Sequence, residues 1–257
     1  MRAATECGIP ATSDFNRGDN HGVGYFDVSQ RNGWRLNAHQ AFVEPVQAAR
    51  PNLVQMTVAC VDQLEFDNGA VLQSAAASSA DAASESNVPE CTGIVYLDSN
   101  GSRVLARATS EVILAAGSVG SVQILERSGV GDAARLGPLG IPARRHLPGV
   151  GANLQDHLQL RPVFKVTGAR TLNTRANSLM GAAAIGLEYL LRRSGPMSMA
   201  PSQLGAFARS SADHERPNVQ FHVQPLSLDS FGSPLHKYDG NIFEFSFLGL
   251  SWWHISH

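Results

Sequence analysis

One segment near the middle of the chain, EVILAAGSVGSVQIL at residues 111–125, places the strongest constraint on how the sequence can fold. Residues 112–116 form a continuous apolar run, which is typical of a β-strand covered on both faces. Gly117 ends that run, and residues 118–127 are predicted to form a helix. A strand, a glycine turn and a helix in this order can bring backbone close to a phosphate. The segment is therefore a cofactor site, part of one, or a tightly packed corner.

The composition limits the classes of function that the chain can serve. Of its 257 residues, 43% are hydrophobic and 16% are charged, with a formal net charge of −2. This balance indicates a globular protein of one or two domains. Nucleic acid is not expected as a partner, because phosphate binding needs a concentrated basic face. No membrane span or signal peptide is expected either, and the sequence does not indicate the compartment.

The cysteines do not indicate a metal site or a disulfide framework. Cys7, Cys60 and Cys91 are odd in number and far apart in the sequence. Zinc sites and disulfide-rich domains require closely spaced or paired cysteines, so no metal is expected. Cys60 lies in an apolar run and is predicted to be a buried small residue.

The pattern from Leu53 onward indicates β-structure. Residues 53–66 read as a strand that leads into a turn at Asp67-Asn68-Gly69, and a second hairpin turns at Asn100-Gly101. Asn-Gly is a strong hairpin signal because both residues accept a positive φ. Residues 74–89 are rich in alanine and serine, and we expect a loop insertion there.

The residue pattern changes beyond His157. Residues 160–166 read as a strand, and residues 177–193 read as a helix that ends at Ser194-Gly195-Pro196. Residues 203–210 and 218–226 alternate as half-buried strands do. A domain boundary is therefore expected near residue 155.

Five segments together make the sequence recognisable. They are CGIPATSDFNRGDNHGVGYFDVSQRNGWR, RPNLVQMT, EVILAAGSVGSVQILERSGVG, LGIPARRHLPGVGANLQDHLQ and FHVQPLSLDSFGSPLH. In this order they resemble the glucose–methanol–choline (GMC) flavin oxidoreductases, and within them the choline-dehydrogenase-like members. The resemblance runs from about Cys7 to His236, and its specificity comes from the combination of segments.

The resemblance implies a fold of the α/β plus α+β class. A partial doubly wound FAD-binding domain is expected over residues 33–154, and a partial substrate-binding domain centred on an antiparallel sheet over residues 155–236. Residues 1–32 are expected to be a lid segment on the substrate side. Residues 237–257 do not continue the family pattern and are expected to be a divergent tail.

The resemblance also implies an activity, namely the FAD-dependent oxidation of a primary alcohol to an aldehyde. The sequence does not indicate the electron acceptor. A second hypothesis is a non-catalytic binding or interaction module built on the substrate-domain scaffold. A nicotinamide-dependent dehydrogenase is disfavoured, because no complete βαβ fingerprint with its ribose-binding acid is present.

The family pattern assigns cofactor contacts to positions of this chain. By resemblance, they are Val61, Ala115, Ala116, Gly117, Asn153, Asp156 and His157. The backbone at Val61 is expected to meet the adenine, and Gly117 allows a flat cofactor to approach because it has no side chain. Asp156 and His157 could instead satisfy backbone groups at a turn.

Several positions depart from the family pattern. Val122 stands where proline is usual, and Glu126-Arg127 replace an apolar pair, which suggests greater exposure. Choline-specific relatives tend to carry a glutamate where this chain has Gln159. Because a carboxylate helps to hold a trimethylammonium group, the neutral Gln159 favours another primary alcohol over choline.

The family's pyrophosphate-binding glycine turn has no counterpart before Leu53, and its catalytic histidine lies C-terminal to the matched region. We therefore expect a start that is incomplete, an alternative ending, and a chain that is catalytically incomplete. No catalytic residue is assigned. His222, His254 and His257 are candidates by residue type only.

Overall fold

The computed structural model describes residues 1–67, 89–166, 171–200, 202–226 and 242–249, the last segment by its backbone. The α-helices are α1 (Arg2–Glu6), α2 (Glu44–Gln47), α3 (Gly117–Arg127), α4 (Ala133–Leu136), α5 (Leu172–Ala176) and α6 (Leu179–Arg192). The strands are β1 (Gly22–Tyr25), β2 (Gln30–Arg31), β3 (Trp34–Arg35), β4 (Cys60–Phe66), β5 (Cys91–Leu97), β6 (Arg103–Arg107), β7 (Val130–Gly131), β8 (Arg145–His146), β9 (Leu158–Leu160), β10 (Val163–Lys165), β11 (Leu204–Ala208), β12 (Val219–Gln224) and β13 (Ile242–Gly249). A π-helical turn spans His39–Val43, and 3₁₀ turns span Gly137–Leu139 and Pro196–Ser198. Among the described helices, none is long and apolar enough to cross a bilayer.

The chain divides into two compact units. The terminal unit combines Met1–Pro51 with Asp156–His257, and the central unit is Asn52–Gln155. Residues 33–51 thus group with the terminal unit, whereas the sequence predicts them in the FAD-binding domain. The assignment of each unit to FAD or to substrate stays a prediction.

The central unit is built on an antiparallel meander of β4, β5 and β6. The predicted hairpin at Asn100-Gly101 is confirmed, and Gly101 adopts φ +76° there. β4 pairs with β5, but the first predicted hairpin stays a prediction, because Asn68-Gly69 of its turn and residues 74–88 lie outside the described residues. β4 begins only at Cys60, whose side chain is exposed. The prediction of a buried Cys60 is wrong because burial along this strand starts two residues later, at Asp62.

Helix α3 follows the expected course, but the strand predicted before it does not form. The helix begins at Gly117 and ends at Arg127. Residues 112–116 have no strand structure, and Ile113 is 77% exposed. A strand covered on both faces needs hydrogen-bonded neighbours, and none of the strands in the described segments pairs with these residues. The doubly wound sheet accordingly stays a prediction.

A six-stranded antiparallel sheet dominates the terminal unit. The strand order is β1-β11-β12-β13-β10, and β9 also pairs with β13. The antiparallel sheet expected for residues 155–236 is therefore present. Of the tail, residues 237–257, the structure describes only Ile242–Gly249, which pairs with β12 as a strand of this sheet.

The predicted helix at residues 177–193 is confirmed as α6, whose ends are set by local chemistry. The Ser178 hydroxyl accepts a hydrogen bond of 2.9 Å from the Gly181 N–H and caps the N-terminus. Arg193 ends the helix in the left-handed conformation, and its guanidinium lies 4.5 Å from the ring centre of Trp34. This contact anchors the β2–β3 hairpin on the end of α6.

Candidate functional site

The corner between residues 112–116 and α3 is open. Ala115, Ala116 and Gly117 are all exposed. Gly117 adopts φ +82°, and among the described residues, apart from its two chain neighbours and the backbone of α3, no heavy atom lies within 4 Å of the position that a Cβ would take there. The Ala116 N–H donates to the Ser121 hydroxyl at 3.2 Å, and no side chain caps the helix at its first residue. A ligand could therefore approach this backbone without displacing a side chain.

Val61 lies on β4, the strand against which α3 packs. It is half-buried and pairs with Tyr96 in the antiparallel ladder. The Leu64 N–H donates to the Ser128 hydroxyl at 2.8 Å, which connects the strand to the residue that follows α3. The structure thus brings the strand that carries Val61 together with the helix that begins at Gly117.

A buried carboxylate fixes this pair of elements. Asp62 is the extra residue of a β-bulge in β4, and its side chain is only 4% exposed. One carboxylate oxygen pairs with Arg103 on β6, and the other pairs with Arg127 at the end of α3. Bulges commonly redirect a side chain in this way. Asp62 is not among the residues predicted from the sequence, although an acid inside an alternating strand is a signal that could indicate it.

Asn153 ends a glycine-rich loop in the central unit. Its φ is +57°, a conformation that asparagine tolerates better than most residues, and it is exposed. Of the pair for which greater exposure is expected, Arg127 is exposed, and Glu126 is half-buried and paired with Arg135. Five of the predicted FAD contacts therefore lie in the central unit, namely Val61, Ala115, Ala116, Gly117 and Asn153.

The other predicted site residues belong to the terminal unit. Asp156 accepts a hydrogen bond of 2.8 Å from the His157 N–H, which agrees with the structural role left open for it. Gln159 lies on β9 and is exposed, and its side-chain oxygen accepts a hydrogen bond of 3.2 Å from Arg161. Their roles toward a cofactor or substrate stay predictions.

His222 lies in an aromatic cluster of the terminal unit. Its ring centre is 4.9 Å from that of Phe26, which also packs against Phe15 and Phe207. Burial lowers the pKa of His222, and the nearby His157 lowers it further. His254 and His257 lie outside the described residues. A catalytic base is not assigned to any of these histidines.

The lowered pKa of His222 predicts a specific pH dependence of stability. The unfolded chain takes up the proton near the ordinary histidine pKa of about 6.5, whereas the folded chain takes it up only at lower pH. The contribution of His222 to the free energy of unfolding is therefore complete above about pH 6.5, and it is lost as the pH falls toward the folded-state pKa. In urea unfolding of wild type and His222→Gln, the free energy of unfolding should fall more steeply for wild type as the pH is lowered. Identical pH profiles would contradict the assignment.

A cavity of about 570 Å³ also lies in the terminal unit. Its walls include Tyr25, Phe26 and Met199, with Arg175 and Gln203 as polar members. The volume suits a small organic molecule. No motif indicated this cavity, because its walls come from segments that are far apart in the sequence. Within the described ranges, no three His, Cys, Asp or Glu side chains cluster as metal ligands would.

Comparison with known proteins identifies the family. The sequence profile of the GMC oxidoreductases matches residues 1–159. The chain belongs to the GMC oxidoreductase family. Among the relatives of this GMC chain, the oxygen-dependent choline dehydrogenase of Paraburkholderia phymatum is 32% identical over 241 residues, which cover 93% of the chain and 38% of the relative. The mitochondrial choline dehydrogenase of Homo sapiens is 32% identical over 232 residues, which cover 90% of the chain and 35% of the relative.

A solved structure supports the fold of this GMC chain. A formate oxidase matches with a TM-score of 0.74 at 18% identity, covering 95% of the chain and 43% of the oxidase. At this identity the likeness concerns the fold alone. The chain thus spans less than half the length of each of these relatives.

Proposed function

We propose that the central unit binds FAD and that the chain serves the oxidation of the CH–OH group of a primary alcohol. Membership of the GMC family supports the reaction class, and the names of the relatives point to choline or alcohol oxidation. The observation that carries the proposal is the open corner at Gly117.

The residues of the central unit fit a flat, anionic dinucleotide. Ala115, Ala116 and Gly117 offer small or absent side chains, and the first turn of α3 favours negative charge. The backbone of Val61 would receive the adenine, and the Asn153 amide can donate and accept hydrogen bonds. Bound FAD would supply the acceptor for the hydride that the alcohol carbon loses. The chain's own contribution is to bind and orient the cofactor.

A matched pair of glycines tests this proposal. Gly117 and Gly101 both have positive φ, +82° and +76°, and at neither would a Cβ lie within 4 Å of another element in the part of the chain that the structure describes. Replacing either glycine with leucine should cost about 1–2 kcal/mol of folding free energy through the left-handed backbone. Only Gly117→Leu should raise the dissociation constant for FAD, by at least about tenfold, because its side chain enters the cofactor's space. Quenching of flavin fluorescence measures the FAD dissociation constant of both variants.

Equal FAD affinity in the two variants would argue against the Gly117 corner. A wild-type chain that folds cooperatively but does not bind FAD would favour the second function, a non-catalytic binding module on the GMC scaffold. The two functions are therefore separated by one titration.

The proposed substrate is a neutral primary alcohol rather than choline. Gln159 carries no charge, and the guanidinium of Arg161 donates to it at 3.2 Å. A cation beside this position repels a trimethylammonium group and offers it no carboxylate. In an active enzyme that contains this chain, neutral primary alcohols should show a higher kcat/KM than choline. A preference for choline would refute the argument from Gln159.

A further inference from the structure

The last turn of α3 carries an ion pair that reaches a neighbouring loop. Arg135, in α4, donates from Nη2 to the Glu126 carboxylate. The same Nη2 donates to the carbonyl oxygen of Val150 at 3.0 Å. The Glu126 side chain is 23% exposed, so the pair is partly shielded from water. Glu126 and Arg135 thus connect two helices to the glycine-rich loop, residues 147–153.

The backbone of this loop lies directly against the ion pair. Gly151 adopts φ +73°, and a Cβ there would lie 2.8 Å from Arg135 Nη2 and 2.9 Å from Glu126 Oε1. Within the loop, two backbone hydrogen bonds of 3.0 and 3.2 Å close successive turns. The course of the loop is therefore set by its own turns and by Arg135 together.

The residue that ends the loop is Asn153, which is expected to contact FAD. Its backbone is left-handed and its side chain is exposed. The direction of the Asn153 amide consequently depends on the conformation of the preceding residues, which Arg135 holds at Val150.

We propose that Glu126 and Arg135 are positioning residues, which hold the loop in the conformation from which Asn153 contacts FAD. The proposal rests on the proposed function of the central unit. Hydrogen bonds between charged groups are stronger than neutral ones. A loop that is ordered before the ligand arrives also loses less conformational entropy on binding. The pair therefore raises FAD affinity without needing to touch the cofactor.

A purely local role for the ion pair makes a different prediction. In that case its loss would change the stability of the central unit or the mobility of the loop, and FAD affinity would not follow. The test must therefore measure loop order without cofactor and cofactor affinity separately.

Glu126→Gln removes the charge and keeps the size of the side chain. Glu188→Gln is the matched control, because the Arg175–Glu188 pair has side-chain exposures of 46% and 31%, against 47% and 23% for Arg135–Glu126. On the full chain, hydrogen exchange of residues 147–153 is measured without FAD. The FAD dissociation constant is measured separately by quenching of flavin fluorescence. Glu126→Gln should speed exchange in the loop and raise the dissociation constant about three- to tenfold. Glu188→Gln should do neither.

The outcomes separate this proposal from the proposed function. Faster exchange with unchanged FAD affinity overturns the positioning role and leaves FAD binding in place. Unchanged exchange, or an equal loss of affinity in Glu188→Gln, overturns it as well. If the wild-type chain does not bind FAD, the proposed function fails and the positioning role fails with it.

Discussion

Replacing Asp62 with alanine is expected to lower the free energy of unfolding of the central unit by about 2 kcal/mol. The Asp62 side chain is almost fully buried and joins three elements, β4 through its own backbone, β6 through Arg103 and α3 through Arg127. Removing one partner of a buried ion pair typically costs about 3–5 kcal/mol. Here the loss should be smaller, because Arg103 and Arg127 are 55% and 58% exposed and water can solvate them.

Native-state hydrogen exchange of the Leu64 and Val95 amides measures this loss for the central unit directly. The control is Glu6→Ala, which removes an ion pair whose side chains are 93% and 68% exposed and should change stability by less than about 0.5 kcal/mol. A similarly small effect of Asp62→Ala would show that the buried carboxylate does not hold the unit together.

Replacing Gly205 with alanine is expected to destabilise the terminal unit by about 2–3 kcal/mol. A Cβ at Gly205 would lie 1.9 Å from the Phe26 ring, so the ring would have to move. That ring packs at 5.4 Å from Phe15 and at 4.9 Å from His222, between centres. Displacing it therefore disturbs contacts from several segments of the unit at once.

A double-mutant cycle checks this explanation. In a Phe26→Leu background, which removes the ring, Gly205→Ala should cost clearly less than in wild type. Gly186→Ala is the control, because Gly186 lies in α6 and faces open space, and it should gain about 0.5–1 kcal/mol. Urea unfolding followed by circular dichroism measures all variants. An unchanged cost in the Phe26→Leu background would mean that the ring is not the obstacle.

Elements with strong local signals could be predicted from the sequence. Helix α6 has a capping serine before a long apolar run, and the β5–β6 hairpin has Asn-Gly at its turn. The glycine turn expected before α3 is also present, and Gly117 adopts φ +82° there. Each of these signals lies within a few residues of the structure that it specifies.

Features that depend on distant partners could not be predicted in the same way. Residues 112–116 are apolar enough for a buried strand, but a strand also requires neighbours, which a local pattern does not supply. Asp62 pairs with residues 41 and 65 positions away. The cluster around Phe26 likewise draws on β11 and β12, far along the chain. An apolar pattern indicates that a side chain is to be buried, and tertiary contacts decide which residues bury it.

The most direct measurement is a titration of FAD into the purified chain, followed by the visible absorbance of the flavin. Saturation at one equivalent per chain, with a shift of the flavin bands and no comparable binding of NADH, is the predicted result. A folded chain that leaves the flavin spectrum unchanged at every concentration would contradict the account.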